Sequence, residues 1–376
     1  MIAQETPVTR YSAVLFEDAT VGAHVEEIVV REPRGNEVMV KMEASGLCHS
    51  DLHVVKGEWP FDYRIVLGHE GAGRVVAVGD TVDDLEIGQR VIINWYASCG
   101  HCTVCAKGQP YLCVSTSAIE NSLPDGSTPI TADDGGEIRP LLGVGTHAQY
   151  SLVTRAAVVP VSDEVPAGVA AVIGCAVTTG VGAVLNTAKV QAGESAFVIG
   201  TGGVGQSVIM GLKLVGAHPI IAVDLSQDRL DAAIEFGATH TFLGDDPDLV
   251  AKVVELTGGG ADYAFDAIGH PSTSANLPNL IANGGAAVLV GMPAREAEVP
   301  FQTWYLVASN KRILGCNYGS SNPQVDFPKI VDLYLAGKLP LDLMIGESIP
   351  LSQYPEAILT LGGATGRRMI VDYSLH

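Results

Sequence analysis

The sequence predicts an α/β chain in which a doubly wound parallel sheet is inserted into a β-rich, partly barrel-like domain. Residues 11 to about 95 contain short β-type segments separated by turn residues. From 177 to 317, short apolar strands alternate with helical patterns, which is typical of a parallel sheet with helices on both faces. The pattern becomes mixed again after Gly315, so we expect the chain to return there to the first domain.

The 376 residues therefore divide into three predicted segments. Residues 1–176 form the first part of the β-rich domain, residues 177–317 the parallel-sheet domain, and residues 318–376 the returning part. β-type patterns in the first part cover 12–16, 25–30, 37–44, 73–78 and 90–94. In the second part, strands are predicted at 196–199, 220–223, 261–265 and 286–290, with helices at 204–214 and 229–236. Residues 99–145 are irregular and include a polar stretch, 121–136; a loop this long is usually functional or mobile.

Composition limits the class of protein. The net charge of −20 argues against broad binding to nucleic acid or anionic membranes. Residues 1–10 lack the apolar core of a signal peptide, and we find no run of 18 or more apolar residues free of charges or breakers. We therefore expect a cytoplasmic protein with neither nucleic-acid nor membrane partners. In an intracellular chain, seven cysteines are better explained as metal ligands or core residues than as disulfides.

Four cysteines lie close together in the predicted lobe at about 95–115. Cys99, Cys102, Cys105 and Cys113 follow the pattern C-x2-C-x2-C-x7-C, and short loops of this kind wrap four sulfurs around one zinc ion. An iron–sulfur cluster is the main alternative, because its first three cysteines share this spacing. The fourth cysteine is too distant for that motif, and no proline follows it. Four sulfur ligands leave no open position, so this zinc site is expected to be structural.

A second candidate metal site would take its ligands from three segments that are far apart in the sequence. Each is weak alone, since a single cysteine is more often a small core residue and a single histidine a polar residue with its partners. Together, Cys48, His69 and Cys175 make a set of two sulfurs and one nitrogen with one position open, which is the composition of a catalytic zinc site. The count supports this division, because only Cys316 is then left over.

A glycine-rich loop predicts a dinucleotide site. The motif G-x-G-x-x-G follows a predicted strand and begins a helix, and Asp224 ends the next predicted strand. The glycines let the backbone approach a pyrophosphate at the helix N-terminus, and the aspartate accepts hydrogen bonds from the adenosine ribose while repelling a 2′-phosphate. NAD is therefore favoured over NADP; the alternative is a glycine-rich turn with a surface aspartate. The loop residues concerned are Gly200, Gly202, Gly203, Val204 and Gly205.

In this order the motifs resemble the zinc-dependent medium-chain alcohol dehydrogenase family of the medium-chain dehydrogenase/reductase superfamily, over nearly the whole chain. They are Gly46-x-Cys48-x-Ser50-Asp51, Gly68-His69-Glu70-x-x-Gly73, the Cys99–Cys113 cluster, Gly174-Cys175 and the Gly200–Gly205 loop. The resemblance implies a Rossmann domain inserted into a GroES-like catalytic domain. It further implies two zinc ions per chain, and NAD-linked interconversion of aldehydes with primary alcohols, aromatic or allylic ones included.

The resemblance also implies roles around the catalytic zinc. Cys48, His69 and Cys175 would bind it, Glu70 would lie near it as a transient ligand, and Asp51 would orient His69. Hydride would pass to the nicotinamide from a zinc-bound alkoxide. Ser50 matches the residue that takes the alcohol proton, and His53 the residue that passes it, through the cofactor ribose, to solvent. The plain alternative for His53 is a half-buried polar residue.

Further positions match cofactor and pocket residues of the family. His49 corresponds to a pyrophosphate contact, Thr179 to a residue behind the nicotinamide, and Arg229 to a basic residue beside the ribose, although a helix-surface charge is its alternative. Arg367 or Arg368 would reach the pyrophosphate; sequence does not choose, and we take Arg367. Met292 completes the cofactor candidates. Trp59, Trp95 and His147 are the candidates for the substrate pocket, with a plain core aromatic as the alternative for Trp95.

Two alternatives remain open at this point. Members of the family that act on thiol adducts of formaldehyde typically carry an arginine soon after the structural cysteines, whereas Val114-Ser115-Thr116-Ser117 contains no basic residue. A thiol-dependent formaldehyde dehydrogenase is therefore less favoured. An alternative of another class is a non-catalytic protein that binds zinc and NAD. The long loop after Cys113 resembles that of dimeric members, so we expect a homo-oligomer, with a dimer favoured over a tetramer.

Overall fold

The computed structural model describes residues 9–361 and 365–375. The strands of these residues are β1 (Arg10–Phe16), β2 (His24–Val30), β3 (Glu37–Gly46), β4 (Ile65–Val66), β5 (Glu70–Val78), β6 (Arg90–Ile93), β7 (Ile130–Thr131), β8 (Glu137–Pro140), β9 (Tyr150–Thr154), β10 (Val158–Pro160), β11 (Ala196–Ile199), β12 (Ile220–Asp224), β13 (His240–Leu243), β14 (Ala261–Asp266), β15 (Ile281–Leu289), β16 (Arg312–Gly315), β17 (Ile345–Ile349) and β18 (Arg368–Asp372).

The helices connect these strands and cover their faces. They are α1 (His49–Val55), α2 (Thr103–Ala106), α3 (Ala167–Val172), α4 (Thr178–Gly182), α5 (Gly203–Val215), α6 (Gln227–Phe236), α7 (Leu249–Thr257), α8 (Pro271–Leu280), α9 (Thr303–Ala308), α10 (Pro323–Leu335) and α11 (Tyr354–Leu359). Two π-helical turns, Ile173–Val177 and Ala183–Ala188, continue α3 and α4 into one helix. Short 3-10 turns cover Pro110–Leu112, Ala118–Glu120, Leu141–Gly143, Arg155–Ala157, Tyr318–Ser320, Leu341–Met344 and Leu351–Gln353.

A small barrel closes in the order β1-β2-β7-β8-β4. Two of its strands, β7 and β8, come from the stretch 99–145, which was predicted to be irregular; that prediction is wrong for these residues. They pair antiparallel with each other, and β7 also pairs with β2. Ile130 and Ile138 are 4% and 0% exposed, so one isoleucine from each strand enters the barrel core. Strands this short carry too few residues for an alternating pattern to be recognised.

The chain returns to the first domain, as expected from its mixed sequence after Gly315. A second sheet has the order β10-β6-β5-β3-β18-β17, and β9 also pairs with β3. Strand β18 lies antiparallel to β3, with Ile370 opposite Gly46. This pairing brings the C-terminal strand beside the segment that leads into Cys48. The predicted boundaries at 176/177 and 317/318 stay predictions.

The parallel sheet confirms the predicted doubly wound domain. Its order is β13-β12-β11-β14-β15-β16, and every pairing in it is parallel. Strand β11 lies between β12 and β14. Strands β12 and β13 extend the sheet on one side of β11, and strands β14, β15 and β16 extend it on the other side. In such sheets the crevice for a ligand opens at the carboxyl end of the strands where this order reverses. The glycine-rich loop after β11 lies at that point.

One long apolar helix combines α3, α4 and the two π-helical turns. Ala167–Ala188 is 22 residues long with a mean hydropathy of 2.0, so one helix of the described residues is long and apolar enough to cross a membrane. Glycines, threonines and Asn186 interrupt its apolar residues, so it is not an uninterrupted apolar run. In the most apolar window of this helix, 83% is buried inside the protein. Core helices of soluble proteins share this property.

Two glycines on this helix provide a stability test. An added Cβ at Gly180 would lie 2.4 Å from Ser207 Cβ and 2.6 Å from Val204 O, both on α5, whereas at Gly168 the nearest atom lies 3.8 Å away. We expect Gly180→Ala to lower the free energy of unfolding by about 1–3 kcal/mol because the two helices must move apart. Gly168→Ala, the matched control, is expected to be neutral or to stabilise by up to about 1 kcal/mol. Denaturant unfolding of both variants measures the difference, and equal stabilities would contradict this packing.

Candidate functional site

The four-cysteine lobe brings its sulfurs together as the spacing predicted. The Sγ atoms of Cys99, Cys102, Cys105 and Cys113 all lie within 4.8 Å of one another. Backbone amides point at these sulfurs: the Cys99 amide donates to Cys113 Sγ at 3.2 Å and the Cys102 amide to Cys99 Sγ at 3.3 Å. Backbone hydrogen bonds lower the pKa of Cys102 to about 6. Four converging sulfurs fit a tetrahedral metal ion with no open position.

A second cluster gathers residues from three elements. Cys48 is the residue before α1, His69 precedes β5, and Cys175 lies in the first π-helical turn. Potential ligand atoms of these residues and of Glu70 all lie within 4.8 Å of one another. All four side chains are buried. The donor set of two sulfurs and an imidazole is the one expected of a zinc site that keeps a position open.

Asp51 connects the segments that carry the ligands. Its Oδ1 accepts a hydrogen bond from the Gly68 amide at 2.8 Å, and its Oδ2 accepts one from the Cys48 amide at 3.3 Å. His69 Nδ1 lies 3.4 Å from Oδ2, which leaves Nε2 to face the sulfurs. Burial opposes protonation of His69, but Asp51 and the Cys48 thiolate outweigh it and raise the pKa of the imidazole well above its usual value. A ligating histidine oriented by a carboxylate is the usual arrangement at metal sites.

A buried ion pair lies beside the ligands. Arg368 Nη2 donates to Glu70 Oε1 at 2.9 Å and lies 3.8 Å from Cys48 Sγ. Burial raises the pKa of Glu70 to about 8, against the opposing effect of the arginine. The other oxygen, Glu70 Oε2, is buried and has no hydrogen-bond partner among the described residues. An unpaired carboxylate oxygen at this position fits a site completed by a cation.

Arg368 also reaches the glycine-rich loop, whereas Arg367 does not. An added Cβ at Gly203 would lie 3.0 Å from Arg368 Cζ, so the guanidinium rests on the first residue of α5. Arg367 instead donates to Glu235 Oε2 at 3.0 Å on the surface. Of the two arginines between which sequence could not choose, the structure therefore brings Arg368, and not Arg367, to the junction of the loop and the ligand cluster.

The loop has the close approaches that its glycines predicted. Gly200 has a φ of +86°, and an added Cβ at Gly205 would lie 1.8 Å from Gly200 O. Asp224 ends β12, and its Oδ2 accepts from Thr201 N at 2.8 Å and from Thr201 Oγ1 at 3.1 Å. Arg229 Nη1 lies 3.7 Å from the same carboxylate. The amides at the start of α5 are therefore at hand for a pyrophosphate, with an acidic side chain at the end of the neighbouring strand.

The remaining cofactor candidates differ in exposure. Thr179 lies one helical turn after Cys175 and is half-buried. His49 is exposed at the start of α1, and Met292, after β15, is 54% exposed. Among the described residues, none of the three has a contact that fixes a role, so their assignments stay predictions.

The relay candidates share helix α1. Ser50 Oγ lies 3.8 Å from Cys48 Sγ. His53 stacks on Trp59 with ring centroids 5.1 Å apart, and its Nδ1 forms a hydrogen bond with Glu58 Oε2. The imidazole is partly exposed, with 26% of its side chain open to solvent. Ser50 therefore lies at the ligand cluster and His53 at the surface.

Of the pocket candidates, Trp95 lies against the ligand cluster. It packs edge-on against His69, with ring centroids 6.3 Å apart, and against Tyr318 at 4.5 Å. The Tyr318 hydroxyl donates to the Gly174 carbonyl, next to Cys175. Sequence reasoning missed Tyr318; the only available signal was an aromatic residue between Asn317 and Gly319 near the predicted return of the chain.

His147 lies in the core and not on an open pocket. Its ring is 0% exposed and packs against Tyr354 with centroids 4.4 Å apart. Burial lowers the pKa of His147 to about 4, so the ring is neutral. An added Cβ at Gly68 would lie 2.7 Å from this ring, which puts the histidine behind the segment carrying His69. The pocket role of His147 stays a prediction.

A surface cleft lies beyond the four-cysteine lobe. It encloses about 370 Å³ and is lined by Ser115, Thr116, Ser117, Glu120 and Arg139, among others. A small cavity that Trp95 lines shares Ser117, Ser122, Leu123 and Pro124 with this cleft. The cleft and Trp95 are therefore connected through shared wall residues.

Comparison with known proteins decides the family. Residues 34–163 match the family described as alcohol dehydrogenase GroES-like domain, and residues 203–336 match the family described as zinc-binding dehydrogenase. An S-(hydroxymethyl)glutathione dehydrogenase from Paracoccus denitrificans is 34% identical over 97% of this chain and 100% of its own length. The chain belongs to the zinc-dependent medium-chain alcohol dehydrogenase family. The fold described above is that of the structurally similar members of this family.

Other relatives agree with this assignment. Alcohol dehydrogenase B from Mycobacterium tuberculosis is 34% identical over 93% of this chain and 95% of its own. The crystal structure of a benzyl alcohol dehydrogenase from Acinetobacter calcoaceticus is similar with a TM-score of 0.89 and 30% identity, covering 97% of this chain and 99% of that one. This chain is therefore an NAD-dependent alcohol oxidoreductase with zinc as its metal. This removes the alternative of a non-catalytic protein that binds zinc and NAD.

The two clusters give a prediction about metal content. Elemental analysis is expected to give about two zinc ions per chain, one for each cluster. Cys48→Ala should lose one zinc and all measurable alcohol oxidation, while Cys105→Ser should lose the other and unfold at lower temperature. Cys316→Ser is the matched control, because this buried thiol lies outside both clusters. A Cys48→Ala protein that retains both zinc ions would refute the assignment of the second cluster.

Proposed function

We propose that this protein interconverts primary alcohols, aromatic or allylic ones included, with their aldehydes, using NAD and a zinc ion held by Cys48, His69 and Cys175. The observation that carries the proposal is the position of Arg368. Its guanidinium touches Glu70 beside the ligands and Gly203 at the start of α5. The Arg368 side chain therefore contacts both the metal-ligand cluster and the dinucleotide loop. Direct hydride transfer from substrate to cofactor requires the two sites to be this close.

The chain's own residues prepare the metal site. Asp51 holds the backbone before Cys48 and His69 in position, and Arg368 keeps Glu70 turned toward the sulfurs. A zinc ion, when bound, supplies a Lewis acid that stabilises negative charge on the substrate oxygen. Glu70 Oε2, buried and without a protein partner among the described residues, is available as a transient ligand.

Residues of the parallel-sheet domain, together with Arg368 on strand β18, would hold the cofactor. The amides at the start of α5 and the Arg368 guanidinium would bind the pyrophosphate, and Asp224 would accept from the adenosine ribose. Arg229, 3.7 Å from that carboxylate, and Thr179, one turn after Cys175, would contact the ribose and the nicotinamide side. NAD, when bound, supplies the hydride acceptor.

The path proposed for the alcohol proton runs along helix α1. Ser50, whose Oγ lies beside Cys48 Sγ, would accept the proton of the alcohol hydroxyl. His53 would deliver it to solvent, because 26% of its side chain is exposed and an imidazole can both accept and donate a proton. The pocket walls would be Trp95, against His69, and Trp59, against His53. Two tryptophans favour flat, apolar substrates, and the similar protein from Acinetobacter calcoaceticus is named a benzyl alcohol dehydrogenase.

One observation favours a second candidate, a thiol-dependent formaldehyde dehydrogenase. The Paracoccus denitrificans relative is named an S-(hydroxymethyl)glutathione dehydrogenase. The stretch after Cys113 has no basic residue, but Arg139 lies in the same cleft as Ser115 and Ser117. Arg139 donates to the Glu120 carbonyl and lies over the Tyr63 ring, but it has no acidic side-chain partner among the described residues, so a carboxylate of a thiol adduct could pair with it.

A substrate screen decides between these two functions. We expect NAD-dependent turnover of benzyl alcohol and other primary alcohols without added thiol, with formaldehyde oxidised slowly whether or not glutathione or mycothiol is present. Strict dependence on a thiol with formaldehyde would reverse the order. Replacing Arg139 with Gln would then raise the KM for the adduct and leave benzyl alcohol oxidation unchanged.

The acidic side chain at the end of β12 predicts coenzyme choice. Asp224→Ser removes the negative charge that would repel a 2′-phosphate, and we expect the ratio of kcat/KM for NAD over NADP to fall at least about tenfold. Parallel assays with the two cofactors at one alcohol concentration measure the ratio. Asp231→Ser, an acidic residue on the adjoining helix α6, is the control, and an equal change in both variants would refute the role.

We also propose a homodimer in the cytoplasm. Strand β16 ends the parallel sheet without a further neighbour among the described residues, and α9 beside it exposes 79% of Trp304 and 82% of Val307. An uncovered sheet edge with an apolar helix next to it is suited to pairing with a second copy. Light scattering should give twice the chain mass, and Trp304→Glu should give the monomer; a wild-type monomer would contradict the proposal.

A further inference from the structure

Glu58 forms a unit with the surface end of the proposed proton path. Helix α1 ends at Val55, and Gly57, with a φ of +71°, turns the chain back over the last helical turn. The amides of Glu58 and Trp59 both donate to the His53 carbonyl, at 2.9 and 3.3 Å. The backbone thus fixes both residues against His53, independently of their side chains.

The side chains then hold the imidazole from two directions. Trp59 stacks on its face at an interplanar angle of 23°, and the Glu58 carboxylate binds Nδ1. A carboxylate can only accept, so Nδ1 carries the hydrogen and Nε2 is left with a lone pair. Ser50 and His53 are three residues apart on α1 and therefore share a face of the helix.

We infer that Glu58 is a positioning residue for proton release: it keeps His53 in the form that accepts a proton at Nε2. The inference rests on the proposed path through Ser50 and His53. In alcohol oxidation Nε2 binds the proton that left the hydroxyl, and the ring becomes an imidazolium with hydrogens on both nitrogens. The Glu58 carboxylate stabilises that cation until one proton passes from the partly exposed ring to water. One proton enters the histidine and one leaves, so the cycle restores the neutral ring.

We assign the positioning of His53 to Glu58 because of the groups that surround the imidazole ring. The charged or titratable side chains recorded close to the ring, among the described residues, are Glu58 on the following turn and His49 on the same helix. The carboxylate is 42% exposed, so water reaches the pair directly. A purely structural ion pair would need no stacked aromatic residue to fix the ring plane.

The test uses Glu58→Gln in the full zinc- and NAD-loaded enzyme. Glutamine keeps the shape but removes the charge that stabilises the imidazolium, so kcat for alcohol oxidation at pH 7 should fall about tenfold. The KM for NAD should stay within about twofold, and kcat should recover toward wild type above about pH 9, where solvent takes the proton without help. Glu58→Asp, which keeps the charge, should give an intermediate kcat.

The chain offers a matched control and a double variant. His24 and Glu26 form a similarly exposed pair at 3.3 Å on β2, away from the site, and Glu26→Gln should leave kcat and its pH profile unchanged. In the His53→Gln enzyme, adding Glu58→Gln should cause no further loss, because both act through one proton.

The outcomes separate the two proposals. If His53→Gln keeps the wild-type kcat at pH 7, the proton path itself is wrong. If His53→Gln slows the enzyme while Glu58→Gln behaves like the Glu26→Gln control, the path stands and the role of Glu58 is overturned. Additive losses in the double variant would also overturn it. Thermal unfolding of each variant, expected to match wild type because Glu58 is exposed, separates a slow enzyme from a damaged fold.

Discussion

The buried carboxylate of Asp51 is the interaction on which the site depends. It is fully buried, and it compensates for the cost of burying its charge through two backbone amides and the imidazole of His69. Those amides belong to Cys48 and Gly68, which lie on either side of helix α1 and strand β4. One side chain therefore sets the separation of two metal ligands that are 21 positions apart in the sequence. A neutral side chain of the same shape could not hold all three groups.

The second requirement is charge balance around the ligands. Two thiols, Glu70 and Asp51 bring acidic groups together in a buried space, and Arg368 is the guanidinium that meets them among the described residues. A buried ion pair contributes little to stability by itself, because desolvation cancels most of the attraction. Its value here is geometric, since the same guanidinium rests on Gly203 and couples the ligand cluster to the dinucleotide loop.

Sequence was sufficient wherever local pattern and structure coincide. Strand β11 and helix α5 follow directly from an apolar run and a glycine motif, and the cysteine lobe follows from spacing alone. Strands β7 and β8 were missed because a few residues cannot establish a period, and the barrel neighbours that make them strands are distant in sequence. Arg367 and Arg368 could not be separated, because neighbouring residues of an extended segment point to opposite sides and only the partner strand decides which side is inside. Tyr318 could not be predicted for a similar reason, because its position depends on contacts with Trp95 and Gly174, which are both far from it in the sequence.

The position of Arg368 has a consequence for biosynthesis. Cys48 and Arg368 are separated by 320 positions, and the arginine sits on strand β18, which can pair with β3 only after the parallel-sheet domain between them has been made. While a ribosome is still extending the polypeptide, the thiols and Glu70 can come together without their guanidinium, whereas the four-cysteine lobe can already be complete. The four-cysteine lobe is thus encoded in one short stretch of chain, whereas the charge balance of the second cluster depends on two segments that are 320 positions apart in the order of synthesis.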